Sequence, residues 1–500
     1  MAEVAGTAME QQLNGSAFVR HLGDLAGDGR AGYAALADRV RTLLSDGRLA
    51  VGTRVPSERE LAAALGIGRG TVAAAYDDLR GSGHLARRRG SGTWTTLPSE
   101  GSSSTPVVPF APTSAAGPSG IAPDVIDLAH AAPAAPAEAM ARAGREALAE
   151  LPGHLVGPGY DLLGLPVLRG LVADRLTAQG LPTAPDEVMV TAGSQHAHAL
   201  VVRALVRPGD RVLLEQPTYP NAIDLVRHVS ARPVPMALDR DAVGRARWDV
   251  AAFAAGLRAS APALAYLVPD HHNPTGGVMD AAAREGVVAA ARRHGVPLVV
   301  DDCLRDLWLT EPVPPPLGAW ATMPGEAPVL TLGSLSKSVW GGVRIGWLRG
   351  PRAVLRRVAT SRASDDIASP VLEQLVAAAL LRGIDDLLPE RRATMAARRD
   401  HLLGALARTL PEWTAPRPSG GLSLWVDLGA PRSSVLVEAA ARQGLHLAAG
   451  PRFGTGGAFE GFLRVPYTHP VDVLDDAVVR LAAAWRTVDA GSPAMLSPVV

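Results

Sequence analysis

The sequence predicts an α/β protein: a mostly parallel sheet wrapped by helices, with a small helical head in front and a smaller subdomain behind. Three observations carry that reading. From Asp127 onward, short apolar strands alternate with alanine-rich helical stretches, the rhythm of parallel strands joined by helices. Before them, residues 31–94 show apolar positions at helical spacing and end in two short β-prone runs about a glycine turn. At 500 residues and 47% hydrophobic, the chain exceeds what one core usually organises, so separate units are expected.

Residues 1–29 are small and polar and read as a loose N-terminal lead-in. In the unit expected over 30–96, Leu36, Val40, Leu43 and Leu44 recur at helical spacing from Tyr33. A second helix opens at Pro56-Ser57-Glu58-Arg59-Glu60, where Ser57 and Glu60 form a capping box, and runs through Leu61 and Leu65. Gly66-Ile67-Gly68 turns the chain into a third helix from Arg69 to Leu79. A hairpin follows, from Leu85 to Arg89 and from Thr93 to Thr96. Residues 97–124, rich in Ser, Pro, Gly and Ala, read as a flexible linker. The α/β unit is expected over 125–488, with strands at Val188 to Thr191, Arg211 to Leu214, Leu264 to Val268, Pro297 to Val300, Val329 to Leu332 and Arg344 to Leu348. Beyond Pro351 the helices lengthen. The run from Leu422 to Leu428 reads as a strand of the terminal subdomain, and 489–500 as a tail.

The formal net charge is zero, so a polyanion partner would have to be met by a local patch. Residues 31–94 supply one: ten arginines against six carboxylates. The one cysteine, Cys303, excludes an intramolecular disulfide framework. The first residues lack the basic flank and apolar core of a leader. No apolar run approaches the ~20 residues that span a bilayer, so a cytoplasmic protein without a membrane partner is expected. Of 49 basic residues, one is lysine, Lys337. Arginine replaces lysine wherever only charge is needed, but it cannot supply the primary amine that condenses with an aldehyde. Codon bias would leave the same trace.

In the head, helix, turn, helix and basic hairpin together make a winged helix-turn-helix, and double-stranded DNA is the expected partner. Arg69, Gly70 and Thr71 open the third helix, where side chains reach base edges. Arg59 is placed for backbone phosphate, and Arg88, Arg89 and Gly90 for a minor groove. A protein-binding module with solvated arginines is the alternative.

Farther on, the residues form a set suited to pyridoxal 5'-phosphate, which needs a lysine, a carboxylate against its ring nitrogen, a phosphate cradle and a contact to its ring oxygen. Lys337 follows an apolar strand, and Asp301 ends the run Val296-Pro297-Leu298-Val299-Val300. Both fall at strand carboxyl ends, where open α/β sheets bind ligands. Taken alone, Asp301 would be a helix cap or loop carboxylate. Gly193, Ser194 and Gln195 open a helix after a strand and suit a phosphate, with Ser334, Ser336 and Arg344 completing the cradle. Asn273 could meet the ring oxygen, and Tyr219 could stack on the ring or simply pack. His271 and His272 suggest a metal at first sight, but no matched third ligand accompanies them.

The stretches Arg54 to Ala62, Leu65 to Val72, Tyr76, and Arg89 to Thr93 resemble the GntR-type winged helix. They depart at Gly68 and Gly70, where hydroxyl residues are usual. The later set, in its order, resembles the fold-type I aminotransferases, and the whole resembles the MocR/GabR subfamily of GntR regulators. The resemblance implies a fold-type I aminotransferase-like domain holding pyridoxal phosphate as an aldimine at Lys337, with Asp301 at N1, Asn273 at O3' and Tyr219 stacked. It also implies Tyr160 reaching the phosphate from a partner subunit, Arg464 gripping an amino-acid carboxylate, and a homodimer. Cys303 stands where the family carries a tyrosine against the ring oxygen, and a thiol is a weak donor. The expectation is a regulator sensing the cofactor, or an amino-acid or amine effector, with little transamination. A working aminotransferase with an accessory head, and a scaffold that has lost its cofactor, are the alternatives.

Overall fold

The computed structural model describes residues 14–22, 32–45, 49, 53–88, 92–96, 125–241, 244–321 and 327–490. The expected linker, Arg89, Gly90 and the last ten residues of the expected tail lie outside them. The chain divides into two compact units, one of 1–125 with 428–436 and 449–462, the other of the remainder.

The head of the first unit contains α1 (Gly15–Leu22), α2 (Tyr33–Ser45), α3 (Glu58–Leu65), α4 (Arg69–Gly81), β1 (Leu85–Arg88) and β2 (Gly92–Thr95). Leu36, Val40 and Leu43 of α2 meet Leu61 of α3 and Val72 and Leu79 of α4 in one core. Burying each such side chain stabilises the head by roughly 1.5–3 kcal/mol before entropy is counted. Gly66 ends α3 at φ 66°, its N–H donating to the Ala62 carbonyl. That left-handed position is the turn glycine serves best.

Two expectations need correction. The lead-in is helical over α1, whose Phe18 and Leu22 are fully buried. Phe18, Val19 and Leu22 within eight residues span little more than one turn, too short a run to establish a period. The capping box is half formed. The Ser57 Oγ accepts from the Glu60 N–H at 3.3 Å, but the Glu60 carboxylate accepts instead from the Gly15 N–H at 2.8 Å, tying α1 to α3.

In the second unit, β3 (Val188–Thr191), β4 (Arg211–Gln216), β5 (Arg232–Ala237), β6 (Leu264–Leu267), β7 (Leu298–Asp301), β8 (Val329–Ser334) and β9 (Gly346–Arg349) form a seven-stranded sheet ordered β3-β9-β8-β7-β6-β4-β5. Only β9 runs against the rest, pairing antiparallel with β8 and β3. The sheet is mostly parallel, as expected. Its central strand β7 buries Leu298, Val299 and Val300 completely, which is why that run is apolar without alternation. The strand expected from Arg344 begins at Gly346. Arg344 itself ends a one-turn helix at φ 52°. β5 has no counterpart among the expected strands because Pro233 and Pro235 argue against one. It is an edge strand pairing only with β4, so prolines two apart leave no ladder bond unmade.

The strand expected from Leu422 spans Ser423–Asp427 and lies beside Phe462–Pro466 in a three-stranded sheet. The later helices are long, as in Ile384–Thr409. Among the described residues, no helix is long and apolar enough to cross a membrane.

Candidate cofactor site and nucleic-acid interface

The sheet brings the candidate residues to one edge. Asp301 is the last residue of β7 and Ser334 the last of β8, while Gly346, which starts β9, pairs with both Ser334 and Thr191. Lys337 sits in the single turn Leu335–Ser338 that follows β8, and its Nζ donates to the Ala131 carbonyl at 2.7 Å. Desolvation, then the Arg464 charge, lower its pKa to about 8, against the opposing pull of Cys303 and Asp301. A neutral, nucleophilic amine is therefore accessible near physiological pH.

Asp301 is held from two sides. The Tyr266 hydroxyl donates to its Oδ2 at 2.8 Å, and the Cys303 N–H donates to its Oδ1 at 3.0 Å. Tyr266 in turn stacks on His198, with ring centroids 4.6 Å apart and planes 14° apart. Burial holds the His198 pKa down to about 3, so a neutral imidazole backs the phenol. Sequence reading missed both residues. Tyr266 lies in an all-buried strand and His198 in an apolar helix, so each reads as core; a buried phenol's need for an acceptor was the available signal. Burial, followed by the Asp301 charge, pushes the Cys303 thiol pKa well up. It stays protonated.

Gly193, Ser194 and Gln195 head the helix Ser194–Leu205, with Gly193 at φ 92°. The Arg344 guanidinium donates to the Ala192 carbonyl at 2.8 Å, and a Cβ on Gly193 would lie 2.8 Å from its Nη2. A Cβ on Gly346 would lie 2.6 Å from the Ser194 nitrogen. Glycine at both positions lets a helix N-terminus, an arginine and the β8 end converge. The Ser334 hydroxyl donates to Ser336 Oγ at 2.8 Å and accepts from the Ser336 N–H at 3.0 Å.

Arg464 is buried. One nitrogen donates to the Ala129 carbonyl, and Nη1 approaches Asn273 Oδ1 at 3.4 Å. Desolvation lowers its pKa to about 10. The half-buried Tyr219 accepts from the Asn221 amide at 2.8 Å. Burial and the Asp301 charge raise its pKa, with Arg464 opposing. Tyr160 does not join the set within one chain, being 72% exposed. His272 is buried between Thr275, at 2.9 Å, and Glu215, at 3.3 Å. Asp270 accepts from both Arg284 and Arg305, an ion cluster bracing the two loops that carry Asn273 and Cys303. No local spacing announces it.

These groups fit pyridoxal phosphate: an amine with a lowered pKa, a carboxylate fixed by two donors, and a donor-rich cradle that a Cβ would fill.

In the head, Arg69 is the first residue of α4, its side chain 70% exposed and 3.7 Å from Glu58. Gly70 follows in open space, and Thr71 donates its N–H to Gly68. Arg59 is exposed on α3. Arg88 ends β1 opposite Gly92. Gly68 caps α4 without a side-chain bond, the structural cost of lacking a hydroxyl there.

Fold and site together define a DNA-binding head joined to an aminotransferase-like cofactor domain. Residues 123–481 match the family described as aminotransferase class I and II, and residues 32–94 match the bacterial regulatory proteins of the gntR family. The chain belongs to the aminotransferase class I and II family, in the branch that carries a GntR head, and it is a pyridoxal-phosphate-type transcription regulator. It is 32% identical to the HTH-type pyridoxine biosynthesis transcriptional regulator PdxR of Corynebacterium glutamicum, over 88% of this chain and 92% of that protein. It is 29% identical to the uncharacterized HTH-type transcriptional regulator YisV of Bacillus subtilis, over 76% and 80%. Among solved structures it resembles LysN, the α-aminoadipate aminotransferase of Thermus thermophilus, at 28% identity and a TM-score of 0.67, over 74% of this chain and 94% of that one.

Proposed function

We propose that this chain is a cytoplasmic homodimeric regulator in which an amino acid or amine, captured beside Lys337, changes how the two heads engage DNA. The observation that carries the reading is the convergence of Lys337, Asp301 and Arg464 in the domain that accompanies a GntR head. When bound, pyridoxal 5'-phosphate supplies an aldehyde for primary amines and a ring that withdraws electrons.

Lys337 would hold the aldehyde; Asp301, fixed by Tyr266 and the Cys303 amide, would keep the ring nitrogen protonated, with Tyr219 placed to stack on the ring and Asn273 to meet its oxygen. Gly193, Ser194, Gln195, Ser334, Ser336 and Arg344 bind phosphate, joined by Tyr160 of the second subunit, whose exposure suits that reach. Arg464 binds the ligand's carboxylate. On DNA, Arg69, Gly70 and Thr71 face bases, Arg59 faces phosphate, and Arg88, Arg89 and Gly90 follow a minor groove. The ligand acts by its differential affinity for two head arrangements.

Cys303 weakens turnover. Its thiol, kept protonated by burial and the Asp301 charge, is a poor donor to a ring oxygen. Retention of Lys337 and Arg464 favours a second reading, a working aminotransferase. The test titrates candidate amino acids into cofactor-loaded protein with operator DNA, recording absorption, DNA affinity and keto-acid product. A spectral shift with altered DNA affinity and little product is expected. Turnover at ~1 to 1000 per second would establish the aminotransferase reading instead.

A further inference from the structure

A cleft of about 750 Å³ opens in the second unit, and none of the cofactor-site residues lines it. Its walls carry four arginines and three aspartates. Three of those arginines have their acceptors within the protein. Arg175 bonds Asp306 at 2.7 Å and Asp385 at 3.1 Å, Arg305 is held by Asp270 at 2.6 Å, and Arg382 bonds Glu150 at 2.8 Å.

Arg392 differs. Its guanidinium carbon lies 3.9 Å from the centroid of the Trp308 ring, and its Nε donates to the Asp306 carbonyl at 2.8 Å. Among the described residues, no acceptor meets its Nη1 or Nη2. Stacking and the Nε bond fix the plane of the guanidinium, so its two remaining nitrogens are presented as a pre-set pair of donors. The Asp306 carboxylate is turned to other partners, its Oδ1 accepting from both Arg175 and Gln179.

We propose that this cleft is a second ligand site, taking a small organic monocarboxylate with an apolar body. The carboxylate would bridge Nη1 and Nη2 of Arg392 in the two-bond geometry that guanidinium favours. With Arg175, Arg305 and Arg382 already neutralised by carboxylates, Arg392 alone is left to meet a ligand, which suits a monoanion better than a phosphate dianion. The indole of Trp308, with Pro312 and Val313, supplies the apolar wall.

The test is calorimetric titration of benzoate into the full-length, cofactor-loaded protein. Because Arg464 would also attract a carboxylate, the Arg464→Gln protein is titrated in parallel. Saturable binding is expected to persist in Arg464→Gln and to weaken at least tenfold when Arg392→Gln or Trp308→Leu is added. A cooperative thermal unfolding transition and a far-ultraviolet circular dichroism spectrum like the parent's establish that each variant has folded. Absence of saturable binding in Arg464→Gln, or binding indifferent to both cleft substitutions in correctly folded protein, would overturn the proposal. Inorganic phosphate that competes with benzoate at equal concentration would overturn the carboxylate assignment.

Discussion

In the head, Arg59 and Arg69 are exposed on two consecutive helices that close over a small apolar core. In the larger unit, Asp301 at the end of β7, Lys337 in the turn after β8 and Arg464 in the strand Phe462–Pro466 are remote in sequence and stand among groups that change one another's protonation. The head needs only charge at the surface, because a polyanion rewards each solvent-facing arginine. The cofactor site needs a particular protonation state, and enclosure supplies it. One region is built by local pattern, the other by topology, and substitutions should separate the two cleanly.

The largest expected effect is confined to the cofactor unit. Lys337→Ala should abolish covalent cofactor retention, seen as loss of the visible band and of any borohydride-fixed adduct on that peptide. The isolated contribution of the heads to nonspecific DNA binding should survive. Loss of both together would erase the distinction between the regions.

Next in size is a pH dependence. Lys337 has a pKa of about 8, below its ordinary value, so below that pH its amine is increasingly protonated. Cofactor uptake by the apoprotein should fall roughly tenfold per pH unit below about 8 and level off above it. Because the unfolded chain binds the proton more tightly, apoprotein stability should rise with pH between about 8 and ~10.4. Uptake still climbing through pH 10 would mean the enclosure of Lys337 has no such effect.

Within the head, Arg69→Ala should remove ~1 to 3 kcal/mol of base discrimination, whereas Arg59→Ala should weaken all sequences alike and reduce the salt slope by ~1. Binding isotherms on matched and scrambled operators at several salt concentrations distinguish them; identical behaviour would reject the two roles. The smallest expected effect concerns α1. Glu60→Ala removes the acceptor of the Gly15 N–H and should cost about 1 kcal/mol in denaturant unfolding of the head. No change would mean α1 docks through Phe18 and Leu22 alone.

How far each region was legible follows from the same contrast. α2, α3 and α4 announce themselves because helical period and glycine turns are local signals. α1 escaped because Phe18, Val19 and Leu22 span too little chain to establish a period, and half of the capping box failed because Glu60 found a partner 45 residues away. In the larger unit, the chemistry of Lys337, Asp301 and the Gly193 turn was readable residue by residue. The support behind it was not: Tyr266 and His198 look like core, and the Asp270 cluster joins side chains remote in sequence. β5 was hidden by prolines that only an edge position permits.

Lys337 is the chain's single lysine, and its Nζ is occupied with the Ala131 carbonyl. Enzymes that acylate or conjugate side-chain amines therefore find a single target in this chain, and it is the amine placed for the cofactor. The same scarcity makes the protein its own gauge: the extent to which a small amine-directed label reaches its one side-chain amine counts the molecules whose Lys337 is uncommitted.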